Sequence, residues 1–144
     1  MTRQALSRDD VTELLRGRGI MPTQQRVNIA QVLFARDRHL SADQVLALAN
    51  QDRHGVSKAT VYNTLGLFAR RGLVREVIVD PARVFYDPNT RPHHHFFNVD
   101  TGSLVDIDHD DLALEQLPEL PAGTVAEGVD VIIRVRNADA EDTP

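Results

Sequence analysis

The hydrophobic period of this chain changes at Gly72, and that change limits what it can fold into. Upstream, apolar residues recur at helical spacing; downstream they alternate as in strands. "SRDDVTELLRGRG" offers Ser7 as a cap, with Asp9 and Asp10 in the first turn, where carboxylates complement the helix dipole. Val11, Leu14 and Leu15 form its apolar stripe, and Gly17 and Gly19 end it. In "PTQQRVNIAQVLFAR" Thr23 caps a stripe of Val27, Ala30, Leu33 and Phe34. "LSADQVLALANQ" places Ser41 and Gln44 at capping-box spacing, with Val45, Leu46 and Leu48 inward. "VSKATVYNTLGLFARRGLV" is capped by Ser57, buries Val61, Leu65 and Phe68, and stops at Gly72. Residues 73–79 then read as a strand, Asp80-Pro81-Ala82 as a turn and "RVFYD" as the return strand. Helices followed by a hairpin predict a winged helix.

A linker, "PNTRP" (88–92), follows the hairpin. Beyond it the pattern predicts strands over 93–99 and 103–108 around a turn, a short helix over about 110–117 in "HDDLALEQLPEL", and a third strand in "VAEGVDVIIRVRN". The expected class is α+β. A winged-helix DNA-binding domain (1–87) and a hinge (88–92) precede a small α/β dimerisation and metal-sensing domain (93–137) of three antiparallel strands and a helix. An acidic tail (138–144) is expected to be disordered. So small a second core would gain from pairing with a copy of itself, which predicts a homodimer.

Charge divides the chain in the same place. Residues 1–87 carry 13 Lys and Arg against 9 Asp and Glu, a net of +4; residues 88–144 carry 3 against 12, a net of −9. A basic front half suits a phosphate backbone. The absence of cysteine excludes disulfides, thiolate metal sites and cysteine nucleophiles. No apolar run reaches the ~18 residues of a membrane span, and no signal peptide opens the chain. The expectation is a cytoplasmic protein with no membrane partner.

In a winged helix the last helix before the hairpin enters the major groove. Its buried stripe leaves Lys58, Tyr62 and Asn63 on other faces, while Ser57, Lys58 and Thr60 crowd its N-terminus, where backbone amides favour phosphate. Tyr62 can pack on a thymine methyl or bond to a phosphate, and Asn63 can bond to a base edge. Arg16 and Arg18, which close the first helix, and Arg83 on the wing complete the candidate contacts to double-stranded DNA.

The triplet in "RPHHHFFNVDTGSLVDID" sits at a strand start. Alternation sends His93 and His95 one way and His94 the other. The return strand carries Asp106 and Asp108 on one face; Asp87 ends the wing and His39 lies between the second and third helices. Imidazoles and carboxylates gathered from separate elements suit Zn, Mn or Fe(II).

"GIMPTQQRVNIAQVLF", "RHLSADQV", "VSKATVYNTLGLFARRGLV", "FYD" and "HHHFFNVDTGSLVDI" together resemble the ferric uptake regulator family of bacterial metal-responsive repressors, over about residues 6–136. The resemblance implies a winged helix, a dimerisation domain, and a regulatory metal at the hinge that holds a DNA-competent pose. The family's regulatory ligands fall on His39, Asp87, His93, His95 and Asp106. The C-x-x-C pair that binds structural zinc in many members is replaced by Asn98 and Thr101, so no structural zinc is expected. A further family site would use His94, with Asp111, Glu115 and Asp130 as acidic candidates but no full set. The triplet without the cysteine pair looks like the iron response regulator branch, in which haem carries the iron signal.

Expected, then, is a homodimeric iron-responsive regulator of palindromic AT-rich operators, acting through Fe(II), Mn(II) or Zn(II) at one site, or through haem. The alternative keeps the fold and senses manganese, zinc or peroxide. An enzyme is not expected: no nucleophile or base stands at motif spacing such as H-E-x-x-H, and five protein ligands leave a metal little room for substrate.

Overall fold

The computed structural model describes residues 6–35, 39–51, 55–91 and 93–142, the His109 side chain apart. It divides into two compact units, Met1–Thr90 and Arg91–Pro144, and the division falls inside the stretch read as a linker.

The first unit opens with α1 (Arg8–Gly17) and α2 (Gln24–Phe34), followed by β1 (Leu40–Ser41), α3 (Ala42–Ala49) and α4 (Lys58–Arg70). Each helix begins where the sequence offers a hydroxyl. Ser7, Thr23, Ser41 and Ser57 accept the N–H groups of Asp10, Arg26, Gln44 and Thr60, and Ser7 and Ser41 close full capping boxes. α1 and α4 end alike. Ile20 N–H donates to the Leu15 carbonyl at 2.9 Å, and Leu73 N–H to that of Phe68 at 2.9 Å. Gly19 and Gly72, at φ 70° and 73°, supply the left-handed residue this ending requires.

The helices enclose one core in which Val11, Leu15, Ile29, Leu33, Val45, Val61, Leu65 and Phe68 are buried. Asn50 closes the loop before α4. Its side chain donates to the Val56 carbonyl (3.1 Å) and accepts the Val56 N–H (2.8 Å). The wing is an antiparallel sheet of β2 (Arg75–Asp80) and β3 (Arg83–Asp87), with β1 as a third strand in the order β1-β3-β2. β1 was not legible in the sequence. Its two residues pair with Tyr86 and Phe85 and run directly into the cap of α3, too short a run to show alternation.

The second unit is a sheet in the order β5-β4-β6, from β4 (His94–Asn98), β5 (Leu104–Ile107) and β6 (Ile132–Val135). Three expectations are corrected here. β6 runs parallel to β4, so the strands are not all antiparallel. Among the described residues of this unit there is no α-helix: the stretch expected to be helical holds only a 3-10 turn, His109–Asp111. Two prolines explain this. Pro118 turns the residue before it away from helical backbone, and Pro121 breaks the chain again. What remains is shorter than the ~12 residues an isolated helix needs in water. Leu114, Leu117 and Leu120 are exposed instead. The acidic tail is also not without structure as far as Asp142. Ala140–Asp142 forms a 3-10 turn, held by paired contacts of Arg136 to the two Asp142 oxygens at 2.6 and 2.8 Å.

This core is thin, with Phe97, Leu104 and Ile107 as its buried apolar residues. On one face, Phe96 stands between Val105 and Ile133 in register, and all three are exposed.

Candidate functional site

In the second unit, alternation along β4 and its pairing with β5 bring three donors together. His95 faces Asp106 across the strands, and His93 precedes His95 by one alternation. His93 Nε2 lies 3.0 Å from His95 Nε2 and 3.1 Å from Asp106 Oδ1, and His95 Nε2 lies 3.2 Å from the same oxygen. His95 is fully buried and His93 nearly so, while the Asp106 side chain is about half exposed. The Arg91 carbonyl, 2.5 Å from His93 Nδ1, can only accept, so Nδ1 carries a proton and Nε2 is the ring atom able to ligate a cation. Sequence reasoning missed this orienting carbonyl, because backbone acceptors leave no residue signature.

The triangle fits a metal ion. Adjacent donors at about 2.1 Å from an octahedral ion stand about 3.0 Å apart. Two imidazoles and one carboxylate on one face form the donor set that suits Fe(II) and related divalent ions. Three lone-pair donors at this spacing, two of them on buried rings, repel one another unless a proton or cation lies among them.

In the first unit, His39 precedes β1 and Asp87 ends β3. His39 Nε2 lies 2.8 Å from Asp87 Oδ2, with both side chains buried. The other carboxylate oxygen of Asp87 accepts the Asn89 N–H at 2.9 Å, which fixes the plane of the carboxylate. This pair is a second nitrogen-and-oxygen donor set of the same chemistry.

His94 is placed differently. Its Nδ1 accepts the Val131 N–H at 2.9 Å, so the neutral ring carries its proton on Nε2. Its Nδ1 lone pair already holds the chain entering β6. Asp108, Asp111, Glu115 and Asp130 are exposed. At the positions where zinc-binding cysteines were considered, the structure has a polar clip. Asn98 Oδ1 accepts the N–H groups of Asp100 and Thr101, and Asn98 Nδ2 donates to Asn137 Oδ1 at 2.9 Å. Asn137 N–H in turn donates to Asp100 Oδ2 at 2.9 Å. The β4–β5 turn is thereby tied to the chain after β6.

Several residues singled out as DNA contacts already have partners. Ser57 Oγ accepts the Thr60 N–H and donates to Thr60 Oγ1, so both residues serve the cap of α4. Lys58, Tyr62 and Asn63 are exposed on α4. The Lys58 ammonium lies 5.7 Å from the Tyr62 ring centre, and the Tyr62 hydroxyl donates to Asp43 Oδ1 at 3.1 Å. Burial, and then the Asp43 carboxylate, raise the Tyr62 phenol above its ordinary pKa. Asp43 was not singled out in the sequence, where it reads as an ordinary first-turn acid. Arg16 and Arg83 are exposed, each with an acidic neighbour three residues earlier: Glu13 at 3.2 Å and Asp80 at 4.0 Å. The exposed Arg18 reaches the end of α4, where a Cβ at Gly72 would lie 3.3 Å from its Nη1.

With this geometry in view, similarity to known proteins is informative. The family model described as the ferric uptake regulator family matches residues 17–126. The peroxide-responsive repressor PerR of Staphylococcus saprophyticus is 32% identical over 112 residues, which is 77% of this chain and 75% of that protein. Among solved structures, the ferric uptake regulator from Pseudomonas aeruginosa with manganese superposes with TM-score 0.64 at 25% identity, covering 89% of this chain and 98% of that one. The Vibrio cholerae ferric uptake regulator superposes with TM-score 0.70 at 18% identity, covering 89% of this chain and all of the other. The chain belongs to the ferric uptake regulator family, whose members are dimeric, metal-responsive, DNA-binding transcription regulators rather than enzymes.

Proposed function

We propose that this protein is an iron-responsive regulator that binds palindromic AT-rich operator DNA as a homodimer, with metal occupancy raising its affinity. The observation that carries this reading is the His93–His95–Asp106 triangle, with edges of 3.0 to 3.2 Å and the far nitrogen of His93 engaged by the Arg91 carbonyl. His39 and Asp87 are proposed to serve the same divalent ion. The ion would supply the positive charge that lets these donors converge. Ligands drawn from both sides of the 88–92 linker would make DNA affinity depend on metal occupancy. Fe(II), Mn(II) and Zn(II) all suit the donors.

Haem is the weaker alternative for the triplet, since the His94 Nδ1 lone pair already accepts the Val131 N–H. The iron response regulator branch is therefore proposed for its metal, not its haem. DNA would be read by Lys58, Tyr62 and Asn63 on α4, with Arg16, Arg18 and Arg83 near phosphates and the capped N-terminus at Ser57 and Thr60 closing on the backbone. The exposed Phe96–Val105–Ile133 strip gives the second unit a face for its own copy.

A second reading has a specific observation in its favour, the similarity to a peroxide-responsive repressor. The same five ligands would then hold iron, and peroxide would oxidise His39 or His93. One experiment separates the readings. Iron-loaded protein is treated with peroxide and digested, and the peptides are weighed. A gain of one oxygen on His39 or His93 with loss of DNA binding supports peroxide sensing. Unmodified histidines with DNA binding that follows iron concentration support iron sensing. The shared reading is contradicted if the protein binds no divalent metal and selects no DNA sequence.

A further inference from the structure

The exposed face of α4 is partly organised from outside the helix. Tyr62 is 42% exposed, yet its ring is held from two sides. Lys58 lies over it from one turn earlier on the same helix. Asp43, on a different helix, accepts its hydroxyl proton at 3.1 Å.

Asp43 is well fixed for this task. It is the second residue of α3, one position past Ala42, and Ser41 and Gln44 close the capping box around it. Ser41 and Leu40 are in turn paired with Phe85 and Tyr86 in the wing sheet. The acceptor therefore comes from a backbone anchored on both sides, and the first turn of α3 is held in place against α4.

The contact also decides what Tyr62 can do. A phenol has one proton to donate, and here it goes to Asp43. A phosphate oxygen would have to compete with that carboxylate and approach its negative charge. The ring remains available, and a ring edge or face suits the methyl group of thymine. A side chain held before binding also loses less rotamer freedom when DNA arrives.

We propose that Asp43 is a positioning residue that holds Tyr62 for contact with a thymine methyl. This rests on the reading of α4 as the DNA-contacting helix. The contact to Asp43 fixes the hydroxyl end of Tyr62, and Lys58 lies over its ring.

The test begins with a duplex selected from a random library by the wild-type, Mn(II)-loaded protein. It is compared with the same duplex carrying uracil for thymine in one half-site position at a time, which removes only the methyl. At one position wild type is expected to bind the uracil duplex about fourfold more weakly, the worth of one buried methyl group. In Asp43→Ala that ratio should fall close to one. Asp43→Asn, which keeps a carbonyl acceptor, should retain most of it. Tyr62→Phe, which keeps the ring but loses the tether, should behave like Asp43→Ala, and the double variant should be no worse than either single. Circular dichroism confirms folding, and Tyr62→Phe carries the test if Asp43→Ala does not fold. The inference is overturned if no position is methyl-sensitive in wild type, if Asp43→Ala or Tyr62→Phe keeps the wild-type ratio, or if the two losses multiply. A selection that yields no preferred sequence overturns the DNA-binding reading itself, and this inference with it.

Discussion

His93 and His95 bring their Nε2 atoms within 3.0 Å of each other, and the Arg91 carbonyl keeps the His93 proton on the far side of its ring. Two imidazoles are thus turned on one point, and Asp106 supplies an oxygen to it. Metal affinity should depend sharply on this pair. His95→Ala is expected to weaken Mn(II) binding by at least about 100-fold, at or beyond the upper end seen when even an outer-shell partner is lost. His94→Ala should leave Mn(II) affinity nearly unchanged and lower stability by about 1 kcal/mol, the worth of the bond from Val131. Competition with a fluorescent chelator reads the first, and urea unfolding the second.

The outer strip of the second unit should govern assembly. Phe96, Val105 and Ile133 are adjacent in register and exposed. Burying a Val or Ile side chain contributes about 1.5–3 kcal/mol, and in a dimer each substitution acts twice. Val105→Glu or Ile133→Glu should weaken self-association by about two orders of magnitude or more in sedimentation equilibrium. Unchanged association would place the dimer contact elsewhere.

Stability of the second unit should not require a structural metal. The Asn98 clip uses hydrogen bonds where a cysteine pair would have used zinc. Chelator treatment at room temperature should leave the far-ultraviolet circular dichroism unchanged, lowering Tm only through loss of regulatory metal. Asn98→Ala should cost about 1–2 kcal/mol, because two backbone N–H groups and the Asn137 tie lose their partner.

The Asp142 carboxyl is held below its ordinary pKa, first by Arg136 and then by the Asp139 N–H. A lowered folded value means that this contact's stabilisation is present above the ordinary Asp range and is lost as pH falls through the lowered one. A carboxyl-carbon NMR titration should show an early midpoint for Asp142 in wild type and an ordinary one in Arg136→Ala.

Much of the first unit was legible because its signals are local. Ser7, Thr23, Ser41 and Ser57 each cap the helix that follows them, and Gly72 ends the last one where the period changes. The alternation that separates His94 from its neighbours was equally local, and it brought His93 and His95 to the face that Asp106 shares. What the sequence hid depends on distant partners. The parallel docking of β6 and the carbonyl behind His93 involve backbone groups without a residue signature. The break of the expected helix is different, because Pro118 and Pro121 are local signals that the helical reading passed over. Asp43 was hidden because its partner lies 19 residues away on another helix.

The most direct test is a DNA-binding titration on the selected duplex, with Fe(II), Mn(II), Zn(II) and haem side by side under anaerobic conditions. Expected is at least about tenfold tighter binding with Fe(II) or Mn(II) than in chelator, within the ordinary range of coupling between sites. His95→Ala should hold the metal-free affinity whatever is added. Wild-type affinity that is the same in chelator and with every metal and haem would contradict the coupling of this metal centre to DNA.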